Sequence, residues 1–107
     1  MKIGIICAGD EELSSFLPLI KDCKTVDKAM LKFHIGRIAG MEVVALFSGV
    51  CKVNAAIGSQ LLIDVFGVDM IINSGTAGGM EPDLEIFDTV ISTEVCYHDV
   101  AQNILTE

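Results

Sequence analysis

The sequence predicts an α/β domain built on an open sheet, and three features carry that expectation. Residues 2–8 form an almost continuous apolar run that stops at Asp10, Glu11 and Glu12. Residues 69–74 form a second such run, which stops at the turn Gly75-Thr-Ala-Gly-Gly79. Between them, residues 43–74 read as strand, helix and strand, a unit expected to be parallel and right-handed. Open α/β sheets hold ligands just beyond the carboxyl ends of their strands. The acids after the first run and the glycine turn after the second are therefore expected to border one crevice.

Taken in order, residues 2–8 suit a strand covered on both faces. Asp10 is a candidate N-cap, and Leu13, Phe16, Leu17 and Ile20 follow at helical spacing until Pro18 ends or bends the helix. Residues 22–28 are polar and read as a connection. Residues 31–38 alternate as a half-exposed strand does, with His34 on the outer phase. Residues 39–42 supply a hairpin turn, and 43–47 return as a buried strand broken by Ser48 and Gly49. Residues 52–66 are expected to be helical, with Val53, Ile57, Leu61 and Val65 on one face and Gly67 just past the end. After the glycine turn and an acidic loop, residues 88–97 read as a final strand.

The 107 residues make one domain, 1–107, able to bury about two-thirds of the surface of the unfolded chain. Apolar residues at 51% and charged residues at 21% describe a globular protein. Fifteen acids against seven bases give a net charge of −8. Nucleic acid is excluded as a partner, because phosphate binding needs clustered Lys and Arg. Cys7, Cys23, Cys51 and Cys96 show neither CxxC nor zinc spacing, and are read as free thiols with no metal or disulfide framework. No apolar run is long enough for a bilayer and no signal peptide is evident, so a cytoplasmic protein is expected, with no membrane partner.

Glu12 reads two ways. It is the third acid of a helix's first turn, favoured by the dipole, or it is a carboxylate at the mouth of the sheet able to orient or deprotonate water. Its helical phase beside Leu13 turns it inward, whereas Asp10 and Glu11 face water. Gly75–Gly79 is either a tight turn or a surface on which backbone approaches a flat ligand; it is neither GxGxxG nor a P-loop. Ser48-Gly-Val-Cys-Lys-Val-Asn54 is a strand-to-helix loop, or one whose N–H groups meet a ribose hydroxyl or an anion. Lys52 is the cation near these turns, little for a phosphate ligand. Tyr97-His98-Asp99 reads as a hydrogen-bonded pair at a strand end before it reads as acid–base machinery.

In their order and separation, Met1-Lys-Ile-Gly-Ile-Ile6, Glu12, the Ser48–Ala56 segment, Ile71–Gly79 and residues 88–99 resemble the amino-terminal half of bacterial 5′-methylthioadenosine/S-adenosylhomocysteine nucleosidases. Those enzymes belong to the purine nucleoside phosphorylase superfamily. The resemblance implies a three-layer α/β/α fold on a twisted mixed sheet, phosphorylase/hydrolase-like and here truncated, assembled as a homodimer or an exchanged assembly. It implies hydrolysis of an N-glycosidic bond to release adenine through a ribosyl oxocarbenium-like transition state, without a cofactor. Glu12 then activates water, Ala8 lies beside that water, and Val50 touches the ribose and alkylthio group of the nucleoside substrate. Thr76, Ala77 and Gly78 form the turn on which the substrate packs.

Some positions depart from the family pattern. Cys51 stands where glycine is usual, making the loop bulkier, and Cys7 and Gly9 are milder changes. The acids that protonate adenine N7 and grip the ribose hydroxyls belong to the half beyond this chain, so the isolated chain is expected to be inactive. The alternatives are a phosphorolytic relative and a non-catalytic nucleoside-binding or oligomerisation fragment.

Overall fold

The computed structural model describes residues 1–97. These fall into one compact unit, Met1–Ala77, and a second that begins at Gly78. The first holds β1 (Lys2–Cys7), α1 (Asp10–Ser14), a 3-10 turn (Leu17–Leu19), β2 (Lys21–Lys28), β3 (Leu31–Ile38), β4 (Met41–Phe47), α2 (Lys52–Asp64) and β5 (Met70–Asn73).

The strands form one mixed sheet in the order β2-β3-β4-β1-β5. β1 runs parallel to both β4 and β5, while β3 is antiparallel to β2 and β4. The chain from β4 through α2 to β5 thus crosses over β1, the long connection that parallel strands require.

Alternate side chains of the central strands fill two cores. Ile5, Cys7, Val43 and Ala45 pack with Leu13 of α1 and with Ile20. Ile6, Val44 and Leu46 pack with Phe33 and with Leu62 of α2. The two helices therefore cover opposite faces, which gives the three-layer α/β/α arrangement on a mixed sheet. Two-sided burial explains why β1 is apolar after Lys2 and β4 after Glu42. α2 lies close to the sheet at Gly58, where a methyl group would come within 3.0 Å of Ile6 Cδ1.

Several sequence expectations are corrected. The N-cap of α1 is Gly9, and Asp10 is its first residue. The helix stops at Ser14, because Pro18 has no N–H to give the Ser14 carbonyl. Residues 22–28 are not a connection but most of β2, a polar and largely exposed edge strand. Beside the backbone ladder, its side chains meet β3 in a Thr25 Oγ1–His34 Nδ1 contact of 3.3 Å and an Asp27–Lys32 ion pair of 3.5 Å. Polar edges of this kind resist pairing with other chains.

The hairpin between β3 and β4 needs only Ala39 and Gly40, with φ of 52° and 79°. Both being positive, they match the right-handed twist of the flanking strands. Along α2 the buried residues are Gly58 and Leu62, whereas Val53, Ile57 and Val65 are exposed. Apolar residues lie on most sides of this helix, so one i, i+4 line does not reveal which side faces the sheet. Gly67, with φ 64°, follows the helix end as expected. Among the described residues β5 is the last strand of the sheet, with Met70 and Ile72 exposed, not the buried strand expected.

In the second unit, residues 88–97 form no strand. Val90, Ile91 and Val95 are exposed, and an apolar run without a paired neighbour does not become a strand. His98 and Asp99 lie outside the described residues. Cys7 is the buried thiol, while Cys23, Cys51 and Cys96 are exposed and free. No helix among the described residues is long and apolar enough to cross a membrane.

Candidate active site

Because β4, β1 and β5 are parallel neighbours, their carboxyl ends lie together at one rim of the sheet. The strand pairing continues into the loops. Ser48 N–H donates to the Cys7 carbonyl at 2.9 Å, and Ser74 N–H donates to the Ile6 carbonyl at 3.0 Å. Three segments therefore meet at this rim, Ala8–Gly9, Ser48–Cys51 and Ser74–Ala77.

Glu12 joins two of them. Its Oε1 accepts from Gly9 N–H at 2.9 Å, and its Oε2 accepts from Thr76 N–H at 2.6 Å. The first bond is half of a capping box, since Glu12 is the third residue after the Gly9 cap. The second crosses from the end of β1 to the loop after β5. Glu11 on the same turn is exposed, and Glu12 half-buried. Each carboxylate oxygen can accept more than one hydrogen bond, so Glu12 is fixed in place and still able to take a proton from a water on its open side.

Beneath it lies Cys7. Burial, and then the negative charge of Glu12, push the Cys7 thiol above its ordinary pKa. The side chain there is thus held as a neutral apolar filler under the carboxylate. Ala8 follows it, half-buried at the strand end.

The loop after β4 carries Val50, which is 65% exposed. Its neighbours Gly49 and Cys51 have φ of 89° and 76°. Asn54 Nδ2 reaches back from α2 to the Val50 carbonyl at 2.8 Å and holds the loop in this shape. At Cys51 the pair φ 76°, ψ 169° belongs to a region open almost only to glycine. A cysteine there costs about 1–3 kcal/mol of strain, against about 0.5–1 kcal/mol of chain entropy that glycine would lose on folding. Cys51→Gly is expected to stabilise the fold by about 1 kcal/mol, read as a higher midpoint of urea unfolding at constant slope. A lower midpoint would contradict the strain.

The rim thus gathers Glu12, Ala8, Val50, Thr76 and Ala77 from the expected set; Gly78 opens the second unit. The partners of Glu12 escaped sequence reasoning, because they are backbone amides with no side-chain signature. A signal that could have found the first of them is the spacing Gly9-x-x-Glu12, which fits an N-cap followed by Glu three residues later. A hollow of about 230 Å³ at the other end of β1, among Lys2, Lys24, Arg37 and Glu42, does not include Glu12. Among the described residues, no group of His, Cys, Asp and Glu is placed to hold a metal.

A family profile described as the phosphorylase superfamily matches residues 2–107. A 5′-methylthioadenosine/S-adenosylhomocysteine nucleosidase of Hydrogenovibrio crunogenus is 45% identical over 100 residues, which are 94% of this chain and 43% of that protein. One from Halalkalibacterium halodurans is 48% identical over 99 residues, covering 92% and 43% respectively. The crystal structure of the Colwellia psychrerythraea nucleosidase in complex with adenine superposes with a TM-score of 0.95 at 40% identity, over 100% of this chain and 44% of that one. The chain thus spans less than half the length of these relatives.

Proposed function

We propose that this chain, which belongs to the phosphorylase superfamily, carries the water-activating part of a nucleosidase site. The reaction is hydrolysis of the N-glycosidic bond of 5′-methylthioadenosine and S-adenosylhomocysteine, with release of adenine. The observation that carries this reading is the carboxylate of Glu12, gripped by Gly9 and Thr76 amides at the rim of the sheet. A base held this way needs no rearrangement when the reaction begins.

In the proposed step, a water bound to Glu12 approaches the anomeric carbon as the C–N bond lengthens. Its oxygen bonds to that carbon, its proton passes to Glu12, and the electrons of the C–N bond leave with adenine. The carboxylate also lies on the side where the ribosyl ring gains positive charge, and its own charge favours that state. Ala8 borders the water, Val50 meets the ribose and alkylthio group, and Thr76, Ala77 and Gly78 form the turn against which the substrate packs. Relatives named as nucleosidases of these substrates, one of them holding adenine, support the substrate class.

Protonation of adenine at N7 is assigned to an acid outside these 107 residues, which make one incomplete domain. The chain alone is therefore expected to release no adenine. Fused to the part of the Halalkalibacterium relative beyond the matched segment, it is expected to release adenine from methylthioadenosine in phosphate-free buffer. Release that requires phosphate would favour phosphorolysis, and a silent fusion that folds and binds the nucleoside would remove the catalytic reading.

Assembly is part of the proposal, and the place of action is the cytoplasm. Val53, Ile57 and Ile63 of α2 and Val65 at its C-cap are apolar yet exposed, and exposed apolar surface favours association. A homodimer or exchanged assembly would cover them. Light scattering is expected to return at least twice the chain mass; a stable monomer in dilute solution would refute this.

A further inference from the structure

We propose that Gly75 is a positioning residue for the Glu12 carboxylate, its missing side chain being the space in which Oε2 lies. This rests on the catalytic reading of Glu12 for its consequence, though not for its geometry. A Cβ built at Gly75 would collide with Glu12 Oε2, and the further atoms within 4 Å of it, Cδ and Oε1, also belong to Glu12. Glycine is not needed there for backbone shape, because the glycines with positive φ are Gly40, Gly49 and Gly67. Space for one carboxylate is what this position provides.

Neither partner can step aside without loss. The backbone before Gly75 is fastened by the bond from Ser74 N–H to the Ile6 carbonyl, 3.0 Å. The carboxylate is fastened by Gly9 at one oxygen and by Thr76 at the other. The far end of a flexible side chain yields more readily than two bonded strands. A methyl group at residue 75 therefore displaces the carboxylate and leaves the sheet intact. Its effect falls on the position of the base, where an error of about 1 Å can cost about 100-fold in rate.

The experiment uses the fusion described above, with Gly75→Ala, Glu12→Ala and both together. Gly75→Ala alone is expected to lower kcat by about 100-fold, with KM and melting temperature nearly unchanged. Added to Glu12→Ala, it is expected to lower the rate no further. The amide protons of Gly9 and Thr76 are expected to move upfield in Gly75→Ala as they do in Glu12→Ala, and the double variant to add nothing. Equal, independent losses in the two backgrounds would overturn the proposal, as would unmoved amide signals. Should Gly75→Ala fail to fold, a cooperative melt regained in the double variant supports it and continued failure overturns it. The amide signals do not depend on turnover. Moved signals with a rate insensitive to Glu12→Ala would reject the catalytic reading and keep the steric one.

Discussion

Glu12→Gln lowers the rate of adenine release by the fused enzyme by about 10²–10⁴-fold, the usual worth of a positioned general base. At about 1.4 kcal/mol per factor of ten, that is about 3–5 kcal/mol added to the barrier. Gln matches Glu in length, so it still occupies the gap between Gly9 and Thr76. Its oxygen can accept from one amide, but its NH₂ then faces the other amide donor to donor. The grip is halved while the fold persists. More directly, an amide cannot take the proton of the attacking water. Steady-state kinetics on methylthioadenosine checks the prediction, and a loss smaller than about tenfold, about 1.4 kcal/mol, would leave Glu12 with the capping role alone.

Phe33→Ala removes about 3–5 kcal/mol of stability, the range found when a buried aromatic is truncated in a packed core. Phe33 is 0% exposed. It lies in the core with Ile6, Val44, Leu46 and Leu62, and its ring is 4.5 Å from that of Phe66. That ring pair adds about 0.5–1.5 kcal/mol beyond burial. Phe33 joins β3 to the end of α2, so its loss loosens the helix that begins with the Val50 loop. Domains hold only about 5–15 kcal/mol in all, so the variant approaches the unfolding threshold. Urea titration should show a large fall in midpoint, and a change under about 1 kcal/mol would mean this core is not closely packed. The more conservative Phe33→Leu should fall between the two.

How far the sequence reveals this fold depends on burial. β1 and β4 are legible because their central residues are covered on both faces, which leaves the apolar runs 3–7 and 43–47. β2 is hidden because an edge strand keeps polar residues outward, and Lys21–Lys28 then looks like a loop. The side of α2 that meets the sheet is hidden too, since one of its two buried residues is Gly58, which has no apolar signal. The opposite error occurs over residues 88–97, where apolar residues suggest a strand for which the described residues offer no partner. At the rim, a run of acids after a strand marks the region. Only helical phase beside Leu13 separates Glu12 from Glu11 there, and the two backbone amides that hold Glu12 leave no mark in the sequence. Cys51 is visible only as a departure from a family pattern, and its φ of 76° supplies the physical reason why the pattern holds glycine.

The flanking of β1 has a kinetic consequence. Hydrogen-bonded on both sides, its inner amides exchange with solvent only through the rarer, larger openings of the sheet. β5, bonded to β1 on one side and forming the outer margin of the described sheet, frays at far lower cost. Glu12 is moored at Gly9 to the slow strand and at Thr76 to the fast one. The chain beyond Ser74 can therefore peel back and reseal by giving up the Thr76 N–H bond, while the Gly9 bond keeps the carboxylate in register.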